Sequence, residues 1–274
     1  MKATLVGFKI VAVCLMALFP ISLQAQSIWL DRSQDKSIGL EVMRPNFSAE
    51  EGDEVSGLLL FLSLRAPMTP QFRFVGELPF VRSSYESNSF FTRSGSQSTV
   101  GNPYLGFEIG QRGTPFLGEF GIRLPAASED KFGAVLMGIV SDYDRLEAFI
   151  PNTVSITGML NYCHREASGF ALRLRGGPSL LLNTDEDDTE LFIGYSVQAG
   201  YEAPRFSLLG GFTGRAIMTE EDADFDERSI HQLGFNASAQ FGKLRPGLHL
   251  RLPLDDDLQE SLDAVLGLNL ILQW

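Results

Sequence analysis

The sequence predicts an all-β protein: an antiparallel transmembrane β-barrel of about twelve strands, with short periplasmic turns, long acidic outer loops and one loop helix. Three observations carry this. Segments of about ten residues alternate apolar and polar side chains, as a strand does with one face in lipid and the other in a polar interior. The connections between these segments are long and short by turns along the whole chain. The last segment, residues 262–274, ends on an aromatic, Trp274.

The N-terminus predicts export. Lys2 and Lys9 lie before an apolar run over residues 10–23, which Gln24 and Ala25 follow. A basic start, a short apolar core and a small closing residue form a secretory signal peptide, and the run is short for a spanning helix. Residues 1–25 are therefore expected to be a cleaved signal peptide and residues 26–274 a single outer-membrane β-barrel domain. Cys14 follows Val13 rather than a small residue, which sets aside a lipid-anchored cysteine.

The strands follow in order. Ser37–Phe47 sets Ile38, Leu40 and Val42 against Glu41 and Met43. Residues 57–66 set four leucines, Leu58 to Leu64, against Leu59, Phe61, Ser63 and Arg65. Residues 72–81 face Phe72, Phe74, Leu78 and Phe80 outward, with Arg73 and Glu77 inward. Residues 100–110 oppose Leu105, Phe107 and Ile109 to Asn102, Tyr104 and Glu108. Residues 116–124 oppose Phe116, Phe120, Ile122 and Leu124 to Glu119 and Arg123.

Residues 128–149 break the period. Ser128, Glu129 and Asp130 read as an N-cap with acids in the first turn, and Phe132, Leu136, Ile139, Val140 and Tyr143 recur at helical spacing. An amphipathic helix is expected here, narrowing or gating the outer mouth; Gly133 and Gly138 weaken it, and a further strand pair is the alternative.

Alternation then resumes. Residues 153–164 turn Val154, Ile156, Leu160 and Tyr162 outward, and residues 170–182 oppose five apolar positions to Arg173, Arg175 and Ser179. Residues 191–202 set Ile193, Tyr195, Val197 and Tyr201 against Ser196, Gln198 and Glu202. Residues 205–218 place Ser207, Thr213 and Arg215 inside, and residues 229–242 place Gln232, Asn236, Ser238 and Gln240 there. Residues 244–254 carry leucines outside and Arg245, His249 and Arg251 inside. In residues 262–274 the outward face reads Leu262, Ala264, Leu266, Leu268, Leu270, Leu272 and Trp274. Leu270, Leu272 and Trp274 are the expected assembly signal, read by the barrel-assembly machinery.

Composition narrows the function. With 34 acidic and 22 basic residues the formal charge is −12, and the signal peptide holds two of the lysines and no acid. Such acidity excludes nucleic acid and a polybasic membrane anchor. Mean hydropathy is only +0.04, as expected when alternate residues alone meet lipid. Outside the signal peptide the one cysteine is Cys163, which excludes an intramolecular disulfide and any cysteine-based metal cluster.

The expected lumen lining is Glu41, Arg65, Arg73, Glu77, Tyr104, Glu108, Glu119, Arg123, Arg173, Arg175, Arg215, Arg245, His249 and Arg251. Arginines outnumber carboxylates in it, and the acid collects in loops such as Asp185-Glu186-Asp187-Asp188. A basic pore favouring anionic or polar small molecules is one reading; Arg–Glu pairs that fill the barrel are the other. His164, His231 and His249 form no set of nucleophile, base and orienting group with the residues around them. His231 with Asp222, Asp224 and Asp226 is the nearest approach to a catalytic site, at the rim. No catalytic residues, cofactor or metal are expected.

The run from Thr99 to Gly106 (TVGNPYLG), the early Ile38-Gly39-Leu40-Glu41 and the stretch Phe74–Arg82 (FVGELPFVR) resemble strands of transporter-like outer-membrane barrels, among them the family named for the meta-pathway of phenol degradation. That resemblance implies an uptake channel for small aromatic or hydrophobic compounds and offers no catalytic residues. The expected function is thus passive uptake of small molecules through the outer membrane, with outer-membrane lipid and lipopolysaccharide as surroundings and an unknown small-molecule substrate. The alternatives are a lipase-like or protease-like enzyme acting at the rim, and a closed structural or adhesion barrel.

Overall fold

The computed structural model describes residues 36–48, 53–87, 95–111, 114–166, 169–185, 188–220 and 224–274. The expected signal peptide, Glu186, Asp187 and Asp222 lie outside the described residues.

The first strands are β1 (Ser37–Phe47), β2 (Asp53–Pro67), β3 (Phe72–Ser87), β4 (Gly95–Val100), β5 (Tyr104–Ile109) and β6 (Phe116–Arg123). The chain continues through β7 (Thr153–Arg165), β8 (Phe170–Asn183), β9 (Thr189–Glu202), β10 (Phe206–Ile217), β11 (Ser229–Ala239), β12 (Leu244–Pro253) and β13 (Leu262–Gln273). Each pairs antiparallel with its sequence neighbours, β4 and β5 share one position beside β3, and β13 returns to β1. The described residues thus close a barrel of twelve strand positions from thirteen strands. Closure leaves β4, which among the described strands pairs with β3 alone, as the one strand with an open side, and the rest of the sheet has no edge, as a sheet in hydrocarbon requires.

Register confirms which face meets lipid. Leu40 lies opposite Leu62 on β2 and Leu270 on β13, and Leu62 lies opposite Leu78 on β3. These four leucines are all exposed, as are Phe107, Phe120, Leu160, Val197, Leu208, Phe235 and Leu248 further round. Aromatic pairs mark the belt's limits: Phe116–Tyr162 and Tyr201–Phe206 at the short-turn end, Tyr195–Phe212 towards the long loops. Trp274 and Leu272 are also exposed, with Lys36 over the Trp274 ring.

Several expectations are corrected. The β2–β3 hairpin is longer than residues 57–66 and 72–81, because polar cross-strand pairs such as Ser56–Ser84 (2.8 Å) carry the ladder above the apolar belt. The strand expected over residues 100–110 is broken at Gly101-Asn102-Pro103, and its upper part begins at Gly95. Leu262 faces inward, not outward. The β1–β13 register slips between Asn46 and Phe47, so Phe47 pairs with Leu262 and Asp263 bulges out to accept hydrogen bonds from Asn46 and Ser48.

The helix expected over residues 128–149 is shorter and differently faced. It comprises a 3-10 turn (Glu129–Lys131), α1 (Phe132–Ser141) and a second 3-10 stretch (Tyr143–Ala148). Ser128 makes no side-chain cap. Phe132 and Leu136 are exposed, whereas Ala134, Val135, Met137, Gly138 and Ser141 are buried. Mostly small residues, with Met137 set against Gly57 of the wall, form the buried face because it lies close against the barrel. Rather than narrowing the mouth from above, the segment is folded into the lumen.

Candidate functional site: a plugged lumen

The connection between β6 and β7 enters the half of the barrel nearer the long loops. There Ala134, Met137, Tyr143, Ala148 and Phe149 pack against Met43, Leu59, Phe61 and Val81, the inward apolar residues of β1–β3, with Leu262 and Val265 of β13. Phe149 meets Phe61 edge-on at 5.8 Å.

The break between β4 and β5 holds both ends of this plug. The Asn102 side chain accepts from the backbone N–H of Ala126 (2.7 Å) and Ala127 (2.9 Å) and donates to the carbonyls of Glu147 (2.9 Å) and Ile150 (2.7 Å). Its own N–H donates to the Ala148 carbonyl. One fully buried amide therefore satisfies four backbone groups. Gly101 beside it must lack a side chain, because a Cβ would run into the Ala148 carbonyl and the Phe149 ring. The run that carried the family resemblance is here the socket of the plug.

Charge fixes the remainder. Arg145 donates to Glu41 (2.8 Å), Glu77 (2.9 Å) and Asp142, and lies 3.6 Å from the centroid of the Phe61 ring. Arg251 donates to Asp142 (2.7 Å) and lies 3.4 Å from Glu41. Arg123 donates to Glu77 (2.6 Å) and the Asn102 carbonyl, and Arg215 donates to Glu147 (2.6 Å). Burial alone would raise the Asp142 carboxyl; Arg145 and then Arg251 reverse this and hold it at about 2. Burial would likewise raise Glu147, and Arg215 with Arg123 brings it below the usual carboxylate range.

Thus Glu41, Glu77, Arg123, Arg215 and Arg251 are brought together around the plug. His249 is fully buried beside them, its Nε2 3.5 Å from Glu41 rather than simply between two arginines. Tyr104 lies inside with Arg123 over its ring. Asp142, Arg145 and Glu147 were absent from the expected lining, because their segment reads as an outer loop. The available signal was charge within an otherwise apolar stretch.

The other half of the lumen is a vestibule of about 820 Å³ at the short-turn end. Arg73, Arg165, Arg173, Arg175 and Arg245 line it, with Glu108. Behind them Glu108 takes both Arg65 (2.7 Å) and Arg73 (2.5 Å), and Glu202 takes both Arg165 and Arg173. Glu119 pairs with Arg175 at 3.1 Å. Arg245 reaches the hydroxyls of Ser238 (3.1 Å) and Ser207 (3.4 Å). Two guanidiniums on one carboxylate leave a net positive surface. Cys163 is exposed at the same cavity.

At the rim, His231 bonds Asp255 through its backbone N–H (2.6 Å) and Nδ1 (3.2 Å), and its Nε2 lies 2.7 Å from the Tyr195 hydroxyl. Its ring stacks on Phe212, 5.3 Å away. Both ring nitrogens are engaged, so this arrangement satisfies the polar tips of an aromatic girdle. Among the described residues Asp255, rather than Asp224 or Asp226, is the carboxylate partner. His164 is exposed at the short-turn end, 4.0 Å from Glu166. Among the described residues no cluster of His, Cys, Asp and Glu could hold a metal ion.

The closed antiparallel barrel, apolar outside and charged within, defines the class: the fold is that of outer-membrane β-barrels. No protein-family model matches the sequence, and no curated protein does. Among solved structures, the chain is similar to the COG4313 outer membrane channel from Pseudomonas putida F1, with a TM-score of 0.59, 13% identity and coverage of 92% of this chain and 100% of that one. It is also similar to the translocator domain of the autotransporter NalP from Neisseria meningitidis, with a TM-score of 0.58, 10% identity and coverage of 100% and 98%. At such identities the likeness is one of fold.

Proposed function

We propose that the protein is an outer-membrane channel for passive uptake of small molecules, closed at rest by its internal plug and preferring anionic solutes on its short-turn side. The observation that carries this is the vestibule, where Glu108 and Glu202 each serve two arginines around about 820 Å³ of open space. A closed structural barrel has no need of such a cavity, and a pocket of that size suits a small organic molecule. The similarity in fold to an outer membrane channel supports the same reading. Export through a signal peptide over residues 1–25 and recognition of the terminal strand by the assembly machinery belong to this proposal.

Single-channel recording of the refolded mature protein in a planar bilayer tests it. Conductance with anion preference, reduced in an Arg173→Ser, Arg245→Ser variant of the vestibule, is the expected result. Silence of both the wild type and a plug-released Arg145→Met variant, each with the native heat-modifiable gel mobility, would overturn it.

A further inference from the structure

The plug is not fastened equally on all sides. Towards β1–β3 and β12 it is held by packed apolar side chains and by the Arg145 and Arg251 ion pairs. Towards β7–β10 the Arg215–Glu147 pair (2.6 Å) and the packing of Leu146 hold it, and beside these the wall recedes. The inward position 194 on β9 is glycine, and a Cβ there would meet only the Met159 methyl at 3.3 Å and a distant carbonyl. The space left is a partly open chamber of about 40 Å³ between Asp144, Arg145 and Glu147 of the plug and the wall, lined there by Thr157, Met159, Ser179, Ser196 and Thr213. A chamber of that size holds roughly three waters.

Two features show that this seam is built for polar contents. Ser196 Oγ and Thr213 Oγ1 are buried and have no hydrogen-bond partner among the described residues, so water or a passing solute is left to satisfy them. Arg175 lines both the chamber and the vestibule, which joins the two spaces at one guanidinium. Towards the long loops the chamber ends at an apolar contact in which Leu146 of the plug meets Leu181 and Phe192 of the wall, flanked by Ile139, Ile150 and Ile217. An apolar constriction closes a pore by excluding water.

We infer that the conduction path is this one-sided seam. Small polar anions, such as short carboxylates, pass between the vestibule and the chamber at Arg175, and the Leu146–Leu181–Phe192 contact is the seal that must part. The inference rests on the channel reading and specifies where its path runs.

The test uses the refolded mature chain carrying Cys163→Ser, with Ser196→Cys or Thr213→Cys on the seam and Leu59→Cys on the opposite side of the plug. A small anionic methanethiosulfonate is added during bilayer recording, and gel mobility checks the fold of each variant. Loss of current at both seam cysteines but not at Leu59→Cys supports the path, as does loss of current in Gly194→Phe, which fills the chamber. Phe192→Ser and Leu181→Ser, which wet the seal, are expected to raise the open fraction. Unchanged current at both seam cysteines, or block at Leu59→Cys, overturns the inference. A silent wild type with conducting Phe192→Ser or Leu181→Ser supports the seal while overturning a channel that conducts unaided. Silence in every folded variant overturns both.

Discussion

Arg145 concentrates the electrostatics of the plug in one side chain. Three buried carboxylates, Glu41, Glu77 and Asp142, meet on it, and Arg251 and Arg123 supply only one further guanidinium to each. An Arg145→Met substitution leaves them mutually repelling in a dry site, and removing one partner of a buried pair costs about 3–5 kcal/mol. The expected outcome is an undocked segment within an intact barrel, seen as protease cleavage within residues 125–150 while gel mobility stays native. Asn102→Leu removes the amide that serves four backbone groups at about 1 kcal/mol each. Faster hydrogen exchange at Ala126 and Ala127 is the result to look for.

Acid acts at the same scale. The Asp142 pKa falls from 3.8 to about 2 on folding, so its ion pairs contribute fully above pH 4 and are lost as the pH drops through 2. The contribution is about 2 kcal/mol. Plug release should therefore rise between pH 4 and 2, with Glu147 adding to it in the same direction. Asp142→Asn should flatten that dependence when cleavage is followed against pH.

At the scale of elements, the strands were legible and the plug was not, for one reason. A lipid-facing strand must be apolar at every second residue whatever its neighbours are, so the period is written locally. The plug is specified by partners far off in sequence: Arg145 meets Glu41 across 104 residues and Arg251 meets Asp142 across 109. Its apolar spacing suggested a face built on Phe132 and Leu136, yet the helix turns those to solvent and buries Ala134 and Met137. The bulge at Asp263 is likewise not legible in the sequence, since alternation through Leu262 reads equally well in either register. The inward residues were readable as a set, while their division into a plug socket and a vestibule depended on where one connection folds. The terminal strand yields its own expectation. Its exposed Leu270, Leu272 and Trp274 face lipid, and deleting Trp274 should lower the amount of folded protein recovered in the outer-membrane fraction without changing the stability of molecules that do assemble.

At the scale of the whole molecule, charge is sorted by depth. The plugged half matches carboxylates to guanidiniums, the vestibule half leaves guanidiniums in excess, and the acid that makes the chain −12 overall lies largely in the connections between strands. In the proposed channel, an anion arriving from the long-loop side would meet repulsion first and attraction only beyond the plug. Raising the ionic strength should therefore increase conductance from that side more than from the other, because screening removes the outer barrier. Recording with salt raised on one side at a time measures this.

The plug's attachment has a kinetic consequence. Its two ends continue into β6 and β7, which are adjacent in the wall, so the segment is a tethered ligand for its own socket. Once undocked it remains at an effective concentration on the order of millimolar or higher and rebinds without any search through bulk solvent. Undocked states of the plug are therefore expected to be brief, their length set by how fast a short leash brings Arg145 back to Glu41 and Glu77.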